Sequence, residues 1–147
     1  MSRRALGSAL LNLLSEGRFE FGIGRSGVVK TYDTYGLAYA ESQARFRETL
    51  EILRRAWTGE PFSHRGEFYR IDNAIVAPRP YQVPHPPIRM AATSDETFPI
   101  AGRLGLPIFI GLRATEISDL KTQLGPYRDA WRAAGHPGDP SVYLRLP

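Results

Sequence analysis

From Glu16 to Gly27 the chain reads Glu-Gly-Arg-Phe-Glu-Phe-Gly-Ile-Gly-Arg-Ser-Gly, and no other stretch constrains the fold as strongly. Phe19, Phe21 and Ile23 alternate with Glu20, Gly22 and Gly24, the period of a pleated strand with one face committed to a core. Glycines at 22 and 24 place no Cβ on the other face, so a second backbone or a ligand can approach closely there. Arg25, Ser26 and Gly27 follow at the strand's end, where α/β proteins place their chemistry. Strands of this kind also occur for purely structural reasons, so these residues alone assign no site.

The remaining elements repeat this logic. Ala5, Leu6, Ala9, Leu10, Leu13 and Leu14 recur at helical spacing, which predicts an amphipathic helix closed by Gly17 in a left-handed cap. Ser26 to Gly36, with Lys30, Tyr32 and Tyr35, reads as a long loop whose aromatics serve as a lid or line a pocket. Phe46, Leu50, Leu53 and Trp57 define a second helix, with Glu51 and Arg55 paired on its wet face. Thr58-Gly-Glu-Pro61 ends it, and Phe62 to Ile71 resembles a hairpin turning at Arg65-Gly66. A proline-rich connector, Pro78 to Pro87, leads to a short strand, Ile88 to Ala92.

Thr93 and Glu96 have the spacing of a capping box, which starts a helix running to Leu104 before Gly105. Pro107 to Gly111 is an uninterrupted apolar strand. Thr115 caps a last helix, with Pro126 inside it as a kink and Gly135 as its stop, and Val142 to Leu146 is a final strand. Strands separated by helices imply right-handed crossovers and a parallel sheet. The fold class is therefore α/β. Too few strands are present to close an eight-stranded barrel, which takes about 250 residues.

Composition narrows the function. At 147 residues, 42% hydrophobic and 23% charged, the chain is ordinary globular material sized for one domain, residues 1–147. The bases behind the net charge of +4 are scattered singly and in pairs, as in Arg54-Arg55, among carboxylates, a solvated surface that predicts no nucleic-acid partner. Gly7, Ser8 and Asn12 break the first apolar run, so it is not read as a leader, and no segment has the length of a membrane span. There is no cysteine, which removes disulfides, thiolate nucleophiles and Cys-ligated zinc and makes a cytoplasmic location the simplest expectation. His64 and His85 are expected at the surface and His136 just past a helix stop, none with a partner at metal-ligand or triad spacing.

Taken in order, Leu13 to Arg25, Tyr35-Gly36, Arg45-Phe46 with Glu48, Leu50, Glu51, Ile52 and Leu53, Trp57 to Glu60, Phe62 to Tyr69, Pro78-Arg-Pro80, Pro86-Pro87, Ala91 to Thr97 and Ala101 to Gly105 carry a resemblance. They are similar to the bacterial-luciferase-like family of flavin-dependent oxidoreductases. The resemblance implies a partial (β/α)8 TIM barrel, about strands four to seven with their helices and an inserted hairpin, lacking strands one to three and eight. It implies a monooxygenase, here a truncated member, that oxidises a small organic substrate with O2 and reduced FMN supplied by a flavin reductase. A deazaflavin-dependent oxidoreductase, or a non-catalytic half-barrel, are the alternatives.

Carried over by position, Arg25 would reach the flavin phosphate, and Thr93 and Ser94 would supply hydroxyls and backbone N–H groups to it, with Thr97 nearby. A helix N-terminus following Thr93 would favour the same anion, although a plain cap explains Thr93 equally well. Gln43 stands where many relatives carry an arginine for that phosphate, which removes one charge-assisted contact. The sheet's open edges predict oligomerisation.

Overall fold

The computed structural model describes residues 2–111 and 117–145. They form two compact units, Met1–Phe21 with Arg25–Pro87 and Gly22–Gly24 with Ile88–Pro147.

In the first unit, α1 (Ser2–Leu14) ends where Glu16 and Gly17 adopt φ of +51° and +82°. Gly17 N–H then donates to the Asn12 carbonyl at 2.9 Å, closing the helix as its glycine predicts. Its buried stripe differs from the expected one. Ala5, Ser8, Ala9 and Asn12 face inward, whereas Leu6, Leu10, Leu11 and Leu14 are exposed. The small stripe lets α1 approach closely: the Trp57 indole Nε1–H reaches the Ala5 carbonyl at 3.0 Å. Trp57 is fully buried and takes the edge of Phe21 at 5.0 Å.

Asn12 is buried by design of its partners. Its Nδ2 donates to the Phe19 carbonyl and to Gln82 Oε1, and its Oδ1 accepts from the Gln82 amide. The amide thus meets the requirement that a buried polar group be paired.

Where a loop is expected after Arg25, residues 29–34 form a short helix, α2 (Val29–Thr34). No glycine or proline interrupts residues 28–35, and Tyr32 packs edge-on against Tyr39 at 5.2 Å, so a helical turn replaces the open loop. A 3-10 turn at Tyr39–Glu41 leads into α3 (Ser42–Ala56), which buries Leu50, Ile52, Leu53 and Ala56. Phe46 is only half-buried. On the expected wet face, Arg55 lies over the Phe62 ring.

The hairpin forms as predicted, from β2 (Phe62–Arg65) and β3 (Arg70–Ala74), antiparallel with Phe62 opposite Ala74 and Arg65 opposite Arg70. Gly66 N–H closes the turn on the Tyr69 carbonyl at 3.0 Å.

The second unit is built on a four-stranded sheet in the order β1 (Phe21–Ile23), β4 (Ile88–Ala91), β5 (Ile108–Gly111), β6 (Val142–Arg145), with Gly22 and Ile23 of β1 inside this unit. β4 pairs parallel with β5, Met90 opposite Ile108, and β5 pairs parallel with β6, Ile108 opposite Val142. Ile88, Met90, Ile108 and Ile110 are all nearly inaccessible, the burial expected of covered parallel strands. Gly24 brings its backbone so close to β4 that a Cβ there would stand 3.2 Å from Ala91 Cβ.

α4 (Thr97–Arg103) and α5 (Ile117–Ala133) pack on one another. Pro126 lies within α5, and the expected cap Thr115 lies outside the described residues. Between α4 and α5, Gly102 meets the backbone of Tyr127 and Trp131. The Tyr127 hydroxyl donates to the Leu106 carbonyl at 3.0 Å, and burial pushes its pKa up to about 12.

A Cβ added at Gly102 would overlap the Tyr127 carbonyl oxygen and crowd Ala130. Gly102→Ala is therefore expected to force the helices apart and destabilise the fold by about 1–3 kcal/mol, whereas Gly125→Ala, with open space around it, is not. Thermal melts of the two variants, followed by circular dichroism, check the contrast.

Candidate functional site

Arg25 belongs to the first unit, immediately after β1. Its Nη1–H donates to the Ser42 hydroxyl at 2.9 Å, and its guanidinium carbon sits 5.5 Å from the centre of the Tyr39 ring. Ser42 opens α3 and is buried. Gln43, next to it, is half-buried and engaged.

Thr93, Ser94 and Thr97 belong to the second unit, in the turn that leaves the C-terminal end of β4. Ser94 and Thr97 are brought together: their hydroxyls lie 3.0 Å apart, and the Thr97 amide donates to the Ser94 carbonyl at 2.8 Å. Thr93 and Ser94 are exposed and Thr97 is buried.

The capping box does not form. The helix starts at Thr97, and Glu96 holds its N-cap position with no side-chain capping bond. The turn closed by Ser94 and Thr97 takes up the residues that a longer helix would have used. Asp95 is held by Gln123 Nε2 at 2.8 Å. The turn thus offers two hydroxyls flanked by two carboxylates.

His64 and His85 depart from the sequence reading, whereas His136 lies just past the helix stop, as expected. His64 is buried, not at the surface, and its Nε2–H donates to Glu48 Oε1 at 2.9 Å, with Glu51 Oε1 3.7 Å from its Nδ1. Glu48 also accepts the Phe68 amide at 3.0 Å and the Tyr69 amide at 2.9 Å. A side chain at Gly66 would overlap both Glu48 and His64, so the glycine admits the pair. Over the same turn, the Arg45 guanidinium lies 4.2 Å from the Phe68 ring centre.

His85 is half-buried beside Trp57, its Nδ1–H donating to the Pro86 carbonyl at 2.8 Å. His136 stacks near Trp131 and donates to the Arg103 carbonyl at 3.1 Å. All three imidazoles therefore have partners within the fold.

Burial disfavours charge on Glu48, but the hydrogen bonds from His64 and the Phe68 and Tyr69 amides outweigh it and hold the carboxyl below its ordinary 4.5. Among the described residues no cluster of three or more His, Cys, Asp or Glu could hold a metal ion, and no helix is long and apolar enough to cross a membrane. A cavity of about 300 Å³ in the first unit lies between α1, α3 and the hairpin. Its walls include Ala5, Ile52, Ala56, Phe62 and Ile71, with Arg70 as the one charged group. It contains no hydroxyl, imidazole or carboxylate side chain, so the chemistry-bearing residues lie elsewhere.

The luciferase-like monooxygenase family pattern matches residues 3–147, and the chain belongs to that family. It is 31% identical over 129 residues to an uncharacterised protein, y4vJ, of Sinorhizobium fredii, covering 87% of this chain and 36% of that protein. The oxygenase component of a flavin-dependent trigonelline monooxygenase from Acinetobacter baylyi is 30% identical over 100 residues, covering 67% of this chain and 28% of that protein. Among solved structures, monooxygenase RslO1 from Streptomyces bottropensis superposes with a TM-score of 0.81 at 30% identity, over 97% of this chain and 44% of that one. An F420-dependent secondary alcohol dehydrogenase gives a TM-score of 0.82 at 19% identity over the same shares, a likeness of fold alone. The chain thus has the fold of part of a luciferase-like TIM barrel and spans less than half the length of these relatives.

Because Glu48 is depressed in the folded protein, its ionised form contributes stability above the unfolded value of 4.5, lost as pH falls through the folded value. At neutral pH Glu48→Gln is expected to lower stability by about 1–3 kcal/mol, since buried donors lose a charged acceptor. The gap between wild type and variant should narrow below pH 4.5. Denaturant unfolding at a series of pH values measures it, and a constant gap would contradict the assignment.

Proposed function

We propose that this chain is the flavin-phosphate-binding part of a luciferase-like monooxygenase acting on a small organic substrate with O2 and reduced FMN. The observation that carries the reading is the Ser94–Thr97 hydroxyl pair in the turn leaving β4, a parallel strand paired with β5. Ligands of α/β sheets bind outside the carboxyl ends of such strands.

The donor set suits a phosphate. In the second unit, Ser94 and Thr97 supply hydroxyl donors and Thr93 adds a third; in the first unit, Arg25 carries a guanidinium whose planar fork matches phosphate oxygens. Asp95 and Glu96 oppose an anion, and the Gln123 bond to Asp95 turns one of them to a neutral partner. Gln43, beside Ser42 in α3, adds no charge.

When bound, reduced FMN would supply two electrons with which O2 gives one oxygen atom to the substrate and one to water. The chain's own residues bind and orient the phosphate. A flavin reductase is the expected electron donor, and the Acinetobacter relative is itself described as an oxygenase component. A deazaflavin reading stands beside it: an F420-dependent glucose-6-phosphate dehydrogenase of Amycolatopsis mediterranei is 30% identical over 100 residues, 66% of this chain and 29% of that protein.

Titration of the chain with FMN, read by quenching of flavin fluorescence, is expected to saturate at micromolar concentration, about −8 kcal/mol. Replacing both hydroxyls, in Ser94→Ala with Thr97→Val, should weaken FMN by roughly tenfold, about 1.4 kcal/mol for the lost donors. Tighter saturation by F420 than by FMN would favour the deazaflavin reading. A chain that binds neither would be a half-barrel without a cofactor.

A further inference from the structure

We propose that Ser42, Tyr39 and Tyr32 form a positioning shell that fixes the Arg25 guanidinium for a flavin phosphate; the inference rests on the reading of Arg25 given above. Arginine has a long, flexible side chain, so an arginine left to itself would give up much of its binding free energy on being ordered. Arg25 is ordered beforehand. Ser42 Oγ accepts its Nη1–H at 2.9 Å, and Ser42 is only 3% exposed, at the rigid start of α3. The Tyr39 ring lies under the guanidinium at 5.5 Å, within cation–π range.

The ring is itself held. Tyr32 meets it edge-on at 5.2 Å with an interplanar angle of 83°. The Tyr32 hydroxyl donates to the Ser26 carbonyl at 3.1 Å, and the Ser26 hydroxyl accepts the Val28 amide at 3.2 Å. The path therefore runs from Arg25 through Tyr39 and Tyr32 back to Ser26, its neighbour in the chain. This gives the short helix α2 a role: it carries Tyr32 to the ring that supports Arg25.

A purely structural role would tie down the loop and affect every ligand alike. Positioning of Arg25 affects only a ligand that carries a phosphate. FMN and riboflavin differ by that phosphate, so the ratio of their dissociation constants is the readout, taken by fluorescence titration of the 147-residue chain.

The wild type is expected to prefer FMN, and Arg25→Ala to lower the ratio by more than either shell variant does. Ser42→Ala and Tyr39→Leu should each reduce it by about three- to fivefold, the loss of one hydrogen bond or one cation–π contact. Tyr39→Phe keeps the ring and should keep the ratio. If Arg25→Ala lowers the preference while Ser42→Ala and Tyr39→Leu leave it unchanged, the shell is overturned and the phosphate reading stands. If both flavins weaken equally in Ser42→Ala and Tyr39→Leu, the shell is likewise overturned, its residues being structural. No preference in the wild type, or one unmoved in Arg25→Ala, overturns the phosphate reading and the shell with it. Should Ser42→Ala fail to fold, the Tyr39→Leu and Tyr39→Phe pair decides the matter alone.

Discussion

One buried amide, that of Asn12, sets the geometry on which the first unit depends. It joins three stretches far apart in sequence: the last turns of α1, the approach to β1 at Phe19, and the proline-rich connector at Gln82. An apolar residue of similar size would leave the Phe19 carbonyl and the Gln82 amide without this partner, and a buried polar group without a partner costs roughly 1–3 kcal/mol. Fixing Phe19 fixes where β1 begins. That in turn fixes where it ends, and so where Arg25 leaves the strand.

The same residue shows what periodicity conveys. Ala5, Leu6, Ala9, Leu10, Leu13 and Leu14 mark a helix, and the helix is there. Hydrophobicity alone selects the leucine side as the inner face, whereas packing selects Ala5, Ser8, Ala9 and Asn12. Small side chains let α1 approach α3 until an indole N–H meets a main-chain carbonyl, and that close approach outweighs the larger apolar area of the leucines. The strand pattern was more dependable. Ile108 to Gly111 is a short apolar run that follows Pro107 and ends on a glycine, and Ile88 to Ala91 follows Pro87 with Ile88 and Met90 on its buried face; a covered parallel strand leaves few other ways to satisfy such runs.

The site was legible only in part, because its contacts are long-range. Glu48 and His64 stand sixteen residues apart, on a helix and a strand, and no local spacing announces that a hairpin will fold back onto the helix. Gly66 was the available signal: a glycine at the turn also leaves room for the carboxylate and imidazole beneath it. The capping box failed for a different reason. Thr93 and Glu96 have the right spacing, but Ser94 and Thr97 form a competing local turn through their hydroxyls and backbone, the alternative that Ser and Thr side chains offer wherever a helix might start. Arg25, Thr93, Ser94 and Thr97 were singled out by family resemblance. Their chemistry became visible as geometry only where Ser42 met Arg25 and Ser94 met Thr97.

The groups that could do acid–base chemistry are engaged in holding the fold. His64 and Glu48 secure the hairpin, His85 lies against Trp57, and His136 closes on the Arg103 carbonyl. The phenol of Tyr127 is bonded to a main-chain carbonyl and raised by burial to about 12, out of range for proton transfer near neutrality. The turn after β4 carries hydroxyls suited to holding an anion, beside the carboxylates of Asp95 and Glu96. In the proposed reading such groups would bind and orient a flavin phosphate, and the reactivity would come from the bound flavin. That division of labour is the one a flavin enzyme requires: a redox-active ring supplies the electrons, and the polypeptide fixes the ring by its phosphate.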